Sequence, residues 1–544
     1  MPAAPSPSRW TSLIGAALGI AQSRRRARLR DARFWRERTG AIQRDQLRSL
    51  LRTASSTEIG RQRGFARIAA CPDAEIAAAF ASASPTTEYE DIRATMVRMR
   101  EGAEPDVAWP GIVRDWAQTS GTTGGQKYIP VSRQMLRSNN RAALDIFAHA
   151  ANMGTPLPRL FGGKIVFLGG STNLTVSDKG IRTGDLSAIV TPLIRWPLSE
   201  VYSPGPDIAL LEHWPSKIDA IVERTIDQDV RGISGMASWS LVLMEKVLAK
   251  ARARDASIRC LRDVWPNLTL FIHGGVRYAP FDRRVREAWS GTPDGDIPHR
   301  FEVYPASEGF IAMQDTAGDP GLRLSADIGL YFEFIPLEDI GSPTARALPV
   351  DAVEPGVRYV VCMTTCAGLW RYIIGDVIEF DAVPRAGLGD RSGPARLRIV
   401  GRHKHFVNAF GENLIVEEIE KAAVAAADRA GITLGEFTAA PIYPETGRRA
   451  GLELVLEWSG PADTAAFAAA FDATLRAINV DYDTKRTGDL GMAPATITPV
   501  PMGAFHQWMA SRGRLGGQNK CPRCANHREY VDGVVAIALA HSPG

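Results

Sequence analysis

Two short apolar runs in this chain each end on a pair of glycines. Lys164 to Leu168 runs into Gly169 and Gly170, and Leu268 to Ile272 leads to Gly274 and Gly275. Between them the apolar period changes from that of a strand to that of a helix. Ile218, Val222 and Ile226 share one face of a helical stretch from Pro215 to Asp227, and Trp239 to Ala251 reads as a second helix. Strands alternating with helices, and leaving through glycine, specify an α/β protein with largely parallel sheets. Gly329 to Ile335 and Arg358 to Met363 add strand-like runs. Residues 34–110 read as helical, with Gln46, Leu47, Leu50 and Leu51 starting an amphipathic stretch. Asp381 to Arg396 is a turn-rich excursion before the strand Leu397 to Val400. After Gly401 and Arg402 the texture changes to an Ala-rich helix (Glu417 to Arg429), a strand (Leu452 to Trp458) and a second helix (Ala462 to Ile478), which reads as a small α+β domain. A chain of 544 residues exceeds what one core holds, about 250–300 residues, so at least two domains are expected.

The densest chemistry lies in Thr119-Ser-Gly-Thr-Thr-Gly-Gly-Gln-Lys127, with four hydroxyl residues, three glycines and a lysine in nine positions. Glycine adopts φ > 0 at little cost, so successive N–H groups can turn toward one centre. Such a nest, with hydroxyls and an ammonium, suits a polyanion such as a triphosphate. A flexible loop with a stray lysine is the alternative for the same residue types. The Walker pattern places Lys-Ser/Thr directly after its last glycine. Here Gln126 intervenes and Tyr128 follows, so the P-loop class is disfavoured.

A net charge of +4 is too small to imply a nucleic-acid or anionic-membrane partner. The basic excess is local, at Arg24, Arg25, Arg26, Arg28 and Arg30, and reads as a solvated helix face, with RNA or lipid binding as the alternative. Leu13 to Ala21 is an apolar run of nine residues that precedes those arginines. A signal peptide has the reverse order, and a membrane span needs about 20 residues. It reads as a partly buried helix of a cytoplasmic protein. Six cysteines in so long a chain argue against a disulfide framework. Cys521 and Cys524 with His527 fall short of the four ligands of a structural zinc site and read as ordinary buried thiols.

Four further segments carry candidate chemistry. At Gly274 and Gly275 the backbone can lie flat against a planar base, unless the pair is a plain strand-to-loop turn. In Tyr304-Pro-Ala-Ser-Glu-Gly309, Ser307 and Glu308 follow a tyrosine that can stack on a base. A lone carboxylate near a triphosphate suits Mg2+, and a surface turn is the alternative. In Leu369-Trp-Arg-Tyr-Ile-Ile-Gly-Asp376, Asp376 suits ribose hydroxyls and Arg371 a phosphate or carboxylate, against a simple Gly-Asp turn. Gly401 to Glu412 brackets a hairpin-like piece at the composition change, where an interdomain hinge would sit.

In order and spacing these segments resemble the adenylate-forming superfamily of acyl-CoA synthetases, peptide-synthetase adenylation domains and luciferase. Within it the chain is most similar to the Gretchen Hagen-type, auxin-responsive acyl acid amido synthetases. Their nest is matched by Thr119 to Lys127, their Tyr-x-x-Ser-Glu motif by Tyr304 to Glu308, and their Tyr-Arg-Tyr-x-x-Gly-Asp motif by Trp370 to Asp376. Thr87 to Asp91 and Gly517 to Cys524 resemble an early and a late landmark of the same family. Ala306, Trp370 and Lys404 depart from the pattern. The resemblance implies a large N-terminal adenylate-forming domain with mixed and parallel sheets (1–402) and a small mobile α+β C-terminal domain (403–544). It implies that ATP and Mg2+ serve to adenylate a small carboxylic acid, whose acyl group then passes to an amine, an amino acid being the expected acceptor. Transfer to a thiol of CoA or a carrier protein is the alternative, and a non-catalytic basic interaction protein is a second. The implied roles are phosphate positioning by Ser120, Gly121, Thr122, Thr123, Gly124 and Lys127, and Mg2+ binding by Glu308. Gly274, Gly275, Val276 and Tyr304 frame the adenine, and Ser307 and Arg371 are cofactor-binding. Asp376 holds the ribose, Arg402 lies near ribose or phosphates, and Lys520 reaches the α-phosphate. No nucleic-acid or membrane partner is expected, and a monomer is. No side chain stands out as the base for the amine; His273, His403, His405 and His506 are candidates by type.

Overall fold

The computed structural model describes residues 9–119, 127–169, 174–191, 194, 196–211, 214–275, 278–342, 345–402, 406–407, 414–442, 450–459, 463–479, 482–483, 486, 492–513, 520–525 and 527–540. The chain divides into two compact units. One comprises residues 1–374 and 379–398, the other residues 375–378 and 399–544.

In the first unit five strands run parallel, in the spatial order Tyr202–Ser203, Lys164–Phe167, Val230–Gly235, Leu270–Gly274 and His299–Ala306. The helices Trp214–Thr225, Ala237–Arg254 and Ala279–Ser290 lie in the crossovers between successive strands. Their apolar stripes, including Ile218, Val222, Leu241, Met244, Val285 and Trp289, share one core with Val166, Val230, Ile233 and Phe271. Each such side chain contributes about 1.5–3 kcal/mol by leaving water. Pro280 sits in the first turn of the third helix, where a missing N–H is harmless, and Gly291 closes that helix at φ 81.

Beyond His299–Ala306 the strands turn antiparallel. Gly309–Gln314 folds straight back, Leu322–Leu324 pairs with it, and Arg396 and Leu397 pair with Leu322–Leu324. Leu348–Pro349, Tyr331–Pro336 and Arg358–Thr364 form a further antiparallel group. In this large sheet the expectation of largely parallel sheets therefore holds for the five strands from Tyr202–Ser203 to His299–Ala306. A parallel pair needs a crossover of about a dozen residues or more, and the two residues between Ala306 and Gly309 allow only a hairpin.

The helical texture of residues 34–110 resolves into Ala32–Ala54, Glu58–Gln62, Phe65–Ala69, Ile76–Ala83 and Tyr89–Arg100, with no helix over 101–110. Breaks fall where Thr57 caps Gly60 and where Gly64 takes φ 68. Arg9–Ala21 is the partly buried helix expected around Leu13. Among the described residues no helix is long and apolar enough to cross a membrane. The arginine cluster on the helix Ser23–Arg30 is solvated only in part. Arg24, Arg28 and Arg30 are exposed, but Arg25 bridges Asp145 at 2.5 Å and Asp327 at 2.6 Å, and Arg26 reaches Asn152. These contacts fasten the N-terminal helices to the long helix Arg133–Asn152. A small second sheet orders Lys127–Val131, Asp115–Thr119, Arg182–Gly184 and Thr175–Val176.

In the second unit the helices Val416–Ala430 and Thr464–Ile478 bury Ile419, Ala423, Phe467 and Phe471 against Phe437, Leu452 and Leu454. Gly451–Glu457 pairs antiparallel with Phe437–Ile442 and parallel with Thr496–Val500, which is the α+β arrangement expected. Asp463 caps the second helix by accepting from Ala465 N and Ala466 N. Cys521 and Cys524 are buried free thiols, and burial pushes Cys521 up to about 12.

Candidate active site

Strand Leu270–Gly274 ends with Gly274 opposite Val303. A Cβ at position 274 would stand 2.3 Å from the Val303 carbonyl oxygen, so the approach of the two strands already demands glycine. Gly275 follows at φ 74, a region glycine enters freely. Tyr304, next to Val303, is buried. Ala306 pairs with Gly309, which leaves Ser307 and Glu308 as the two-residue turn of a hairpin, both half-buried. Gly274, Gly275, Tyr304, Ser307 and Glu308 thus share the edge formed by the carboxyl ends of the parallel strands. That edge is where open α/β sheets take their ligands. Val276 lies outside the described residues.

His273 stands at the same edge but is deeply buried. Its ring stacks on Tyr278 at 4.3 Å, and Arg300 covers the Tyr278 ring at 4.3 Å. Burial, aided by the Arg300 charge, lowers its pKa to about 3. So weak a base accepts protons poorly near neutrality. His506 is exposed, and His403 and His405 lie outside the described residues.

The nest connects the two strands of a hairpin, with Thr119 paired to Lys127 at its base. Ser120, Gly121, Thr122, Thr123 and Gly124 lie outside the described residues. Lys127 Nζ lies 5.8 Å from the centre of the Tyr89 ring, and the Tyr89 hydroxyl accepts from the backbone N–H of Tyr128 at 2.8 Å. Tyr89 opens the helix Tyr89–Arg100, whose start is closed by a reciprocal capping box between Glu88 and Asp91. Thr87 N donates to Arg371 O at 2.9 Å, and Ile373 N donates to Thr87 O at 2.8 Å. The landmark Thr87 to Asp91 therefore holds Lys127 with one end and the Trp370 motif with the other. Tyr89 had no role on sequence grounds; its place in that landmark was the available signal.

Arg371 finds its partner within its own unit. Its backbone takes φ 50, uncommon for a side chain of this size. Its guanidinium turns into the core and donates to Glu333 at 2.9 Å, Ser84 O at 2.7 Å and Ala81 O at 3.3 Å. Of the two partners expected for it, a phosphate or a carboxylate, it faces a carboxylate, that of Glu333. Burial raises the Glu333 carboxyl pKa, and Arg371 offsets this only in part. The signal for the pair was Glu333 itself, a charge inside the apolar run Tyr331–Pro336, since a buried charge requires a partner.

In the second unit, Gly375 has φ 91 yet lies within the strand Tyr372–Ala382. Gly375-Asp376 is therefore not a simple turn, and Asp376 is buried. Arg402 ends the strand Arg396–Arg402, and its side chain lies outside the described set. Phe406–Val407 pairs antiparallel with Leu414–Ile415, consistent with the hairpin expected there. Lys520 is exposed. The segment after it is stitched to the strand Phe437–Ile442, with the Thr438 hydroxyl donating to Pro522 O at 2.6 Å and Ala439 N to Arg523 O at 2.9 Å.

Among the described residues no cluster of three or more His, Cys, Asp or Glu side chains could hold a metal ion. Glu308 offers one half-buried carboxylate on the hairpin turn. That donor fits Mg2+, which takes one or two protein carboxylates and completes its shell with phosphate oxygens and water.

Comparison with known proteins fits this arrangement. The sequence matches the GH3 family N-terminal domain over residues 29–206, the GH3 family central domain over 324–386 and the GH3 family C-terminal domain over 417–529. It is 25% identical over 321 residues to the probable indole-3-acetic acid-amido synthetase GH3.1 of Arabidopsis thaliana, a match covering 55% of this chain and 50% of that protein. The chain thus spans about half the length of that curated relative. In structure it resembles GH3.15 acyl acid amido synthetase, with a TM-score of 0.73 at 18% identity over 92% of this chain and 94% of that one. It also resembles 2-hydroxyisobutyryl-CoA ligase in the postadenylation state, with a TM-score of 0.55 at 15% identity over 94% and 96% of the two chains. The fold is shared with GH3.15, and with three family domains matched in order along its length, the chain belongs to the GH3 family.

Proposed function

We propose that this protein activates a small carboxylic acid with ATP and passes the acyl group to an amine, an amino acid being the preferred class, to form an amide. The observation that carries the reading is the shared strand-end edge of Gly274, Tyr304 and Glu308. The acyl acid amido synthetases of the family support the amide outcome. In the first step a carboxylate oxygen attacks the α-phosphorus of ATP and pyrophosphate leaves. In the second the amine nitrogen attacks the acyl carbonyl, AMP leaves and the nitrogen loses a proton. A free carboxylate is a poor acyl donor because oxide is a poor leaving group, and the mixed anhydride supplies a good one.

In this reading Ser120, Thr122, Thr123 and Lys127, with the backbone of Gly121 and Gly124, position the β- and γ-phosphates. Catalysis by such a site comes mainly from electrostatic stabilisation of the charge that develops on phosphate. Tyr89 fixes the strand that carries Lys127. Glu308 holds Mg2+, which when bound neutralises charge on the phosphate oxygens. Gly274, Gly275, Val276 and Tyr304, with Ser307, frame the adenine. Asp376 accepts the ribose hydroxyls, Arg402 lies near the ribose or phosphates, and Lys520 approaches the α-phosphate. Arg371 keeps a supporting role through Glu333.

The test is acceptor-dependent AMP release, measured with amino acids and with CoA at saturating ATP and acid. Amino-acid-dependent release supports the amide. Release only with CoA converts the reading to a thioester-forming ligase.

A further inference from the structure

A cavity of about 270 Å3 opens between the helices Ala32–Ala54 and Arg133–Asn152. None of its lining residues is among those assigned to ATP. The second helix turns Gln134, Arg137, Ser138 and Arg141 toward it, a spacing of i, i+3, i+4 and i+7. Gln134, Arg137 and Arg141 are exposed and form the open polar wall of the cavity, with Ser138 buried among them.

The polar groups are mostly donors. The Gln134 side-chain oxygen already accepts from Trp109 Nε1 at 3.4 Å, and the Gln46 oxygen, across the cavity, accepts from Gly329 N at 2.8 Å. Each carboxamide therefore has its NH2 group left to offer. Arg137 has no ion-pair or hydrogen-bond partner among the described residues. Arg141 shares Asp327 with Arg25, which itself holds that carboxylate through two bonds. Among the described residues no carboxylate lines the cavity. Ser138 is 4% exposed, yet its hydroxyl has no hydrogen-bond partner. Buried polar groups are almost always paired, so an orphaned hydroxyl beside two guanidinium groups marks a place for an acceptor. Trp109 and Leu50 give the cavity an apolar floor.

We propose that this cavity is a second, non-catalytic site for a small organic oxyanion, a carboxylate or phosphate ester. Its charged head meets Arg137 and Ser138, and its apolar body rests on Trp109 and Leu50. The cavity also touches the catalytic framework. Trp109 packs against Trp370 at 6.1 Å, and the carbonyl of the lining residue Cys366 accepts from Ser132, the cap of the Arg133–Asn152 helix.

The test is isothermal titration of the full chain with benzoate, phenyl phosphate and inorganic phosphate, repeated on Arg137→Ala and Ser138→Ala. The expected result is that benzoate or phenyl phosphate binds, with affinity falling about tenfold or more in each variant, a change well outside titration error. Which of the two binds more tightly names the head group. Ser138→Ala should keep the parent unfolding temperature, because it removes a group that bonds to nothing. Equal affinity in parent and variants, or no binding by any probe at millimolar concentration, overturns the proposal. Inorganic phosphate binding as tightly as phenyl phosphate overturns the organic character of the ligand. Because the readout is binding, it stands or falls apart from the proposed amide synthesis.

Discussion

Arg371 combines an unusual backbone angle with a guanidinium buried against Glu333, both side chains under a tenth exposed. Removing one member of such a pair leaves a buried charge without a counter-ion, which costs about 3–5 kcal/mol, whereas replacing both with apolar groups is often close to neutral. Arg371→Met should therefore destabilise the protein far more than Arg371→Met with Glu333→Met, as read by urea unfolding. Equal losses would mean that the ion pair is not what Arg371 provides. The arginine was legible as a motif residue, but its partner lies 38 positions away on the strand Tyr331–Pro336, and no local pattern links them.

His149 and His273 make a second case at this scale. Burial holds each near pKa 3 in the folded chain, against 6.5 for a free imidazole. Between those values the unfolded chain binds more protons. Their contribution is complete above about pH 6.5 and is lost as the pH falls toward 3, by up to about 1.4 kcal/mol per pH unit for each group. The unfolding temperature should drop as the pH is lowered from 7 to 4.5, and His149→Phe should flatten that slope. An unchanged slope in the variant would show that His149 does not stay neutral when folded.

At the scale of elements, the strands and helices were legible because their apolar periods differ. Strand direction was not, since it depends on connector length: the two residues that follow Ala306 forbid a crossover, while the helix Ala279–Ser290 permits one. The glycine pair was legible as a feature but not in its cause. Gly274 is required by the Val303 carbonyl oxygen, independently of any ligand. Gly274→Ala should therefore push the strands Leu270–Gly274 and His299–Ala306 apart and destabilise the protein by about 1–3 kcal/mol. Thermal unfolding without nucleotide checks this, and a variant as stable as the parent would return the glycine to a purely nucleotide-related role.

For the whole molecule, order was the legible quantity. Nest, glycine pair, tyrosine–glutamate turn and glycine–aspartate strand occur in the family's sequence, and the family domains match along the same line. The roles of the charged residues were less legible. Arg25 fastens one helix to another instead of facing solvent, and Arg371 serves the core, because long side chains take partners that the sequence places far away. The account rests on Lys127, Glu308 and Asp376 acting on one ATP. ATP–pyrophosphate exchange over a panel of carboxylic acids tests that most directly, with Asp376→Ala beside the parent. The account predicts Mg2+-requiring exchange that depends on a particular acid and falls roughly 100-fold or more in the variant. No exchange with any acid, or exchange untouched by Asp376→Ala, would contradict it.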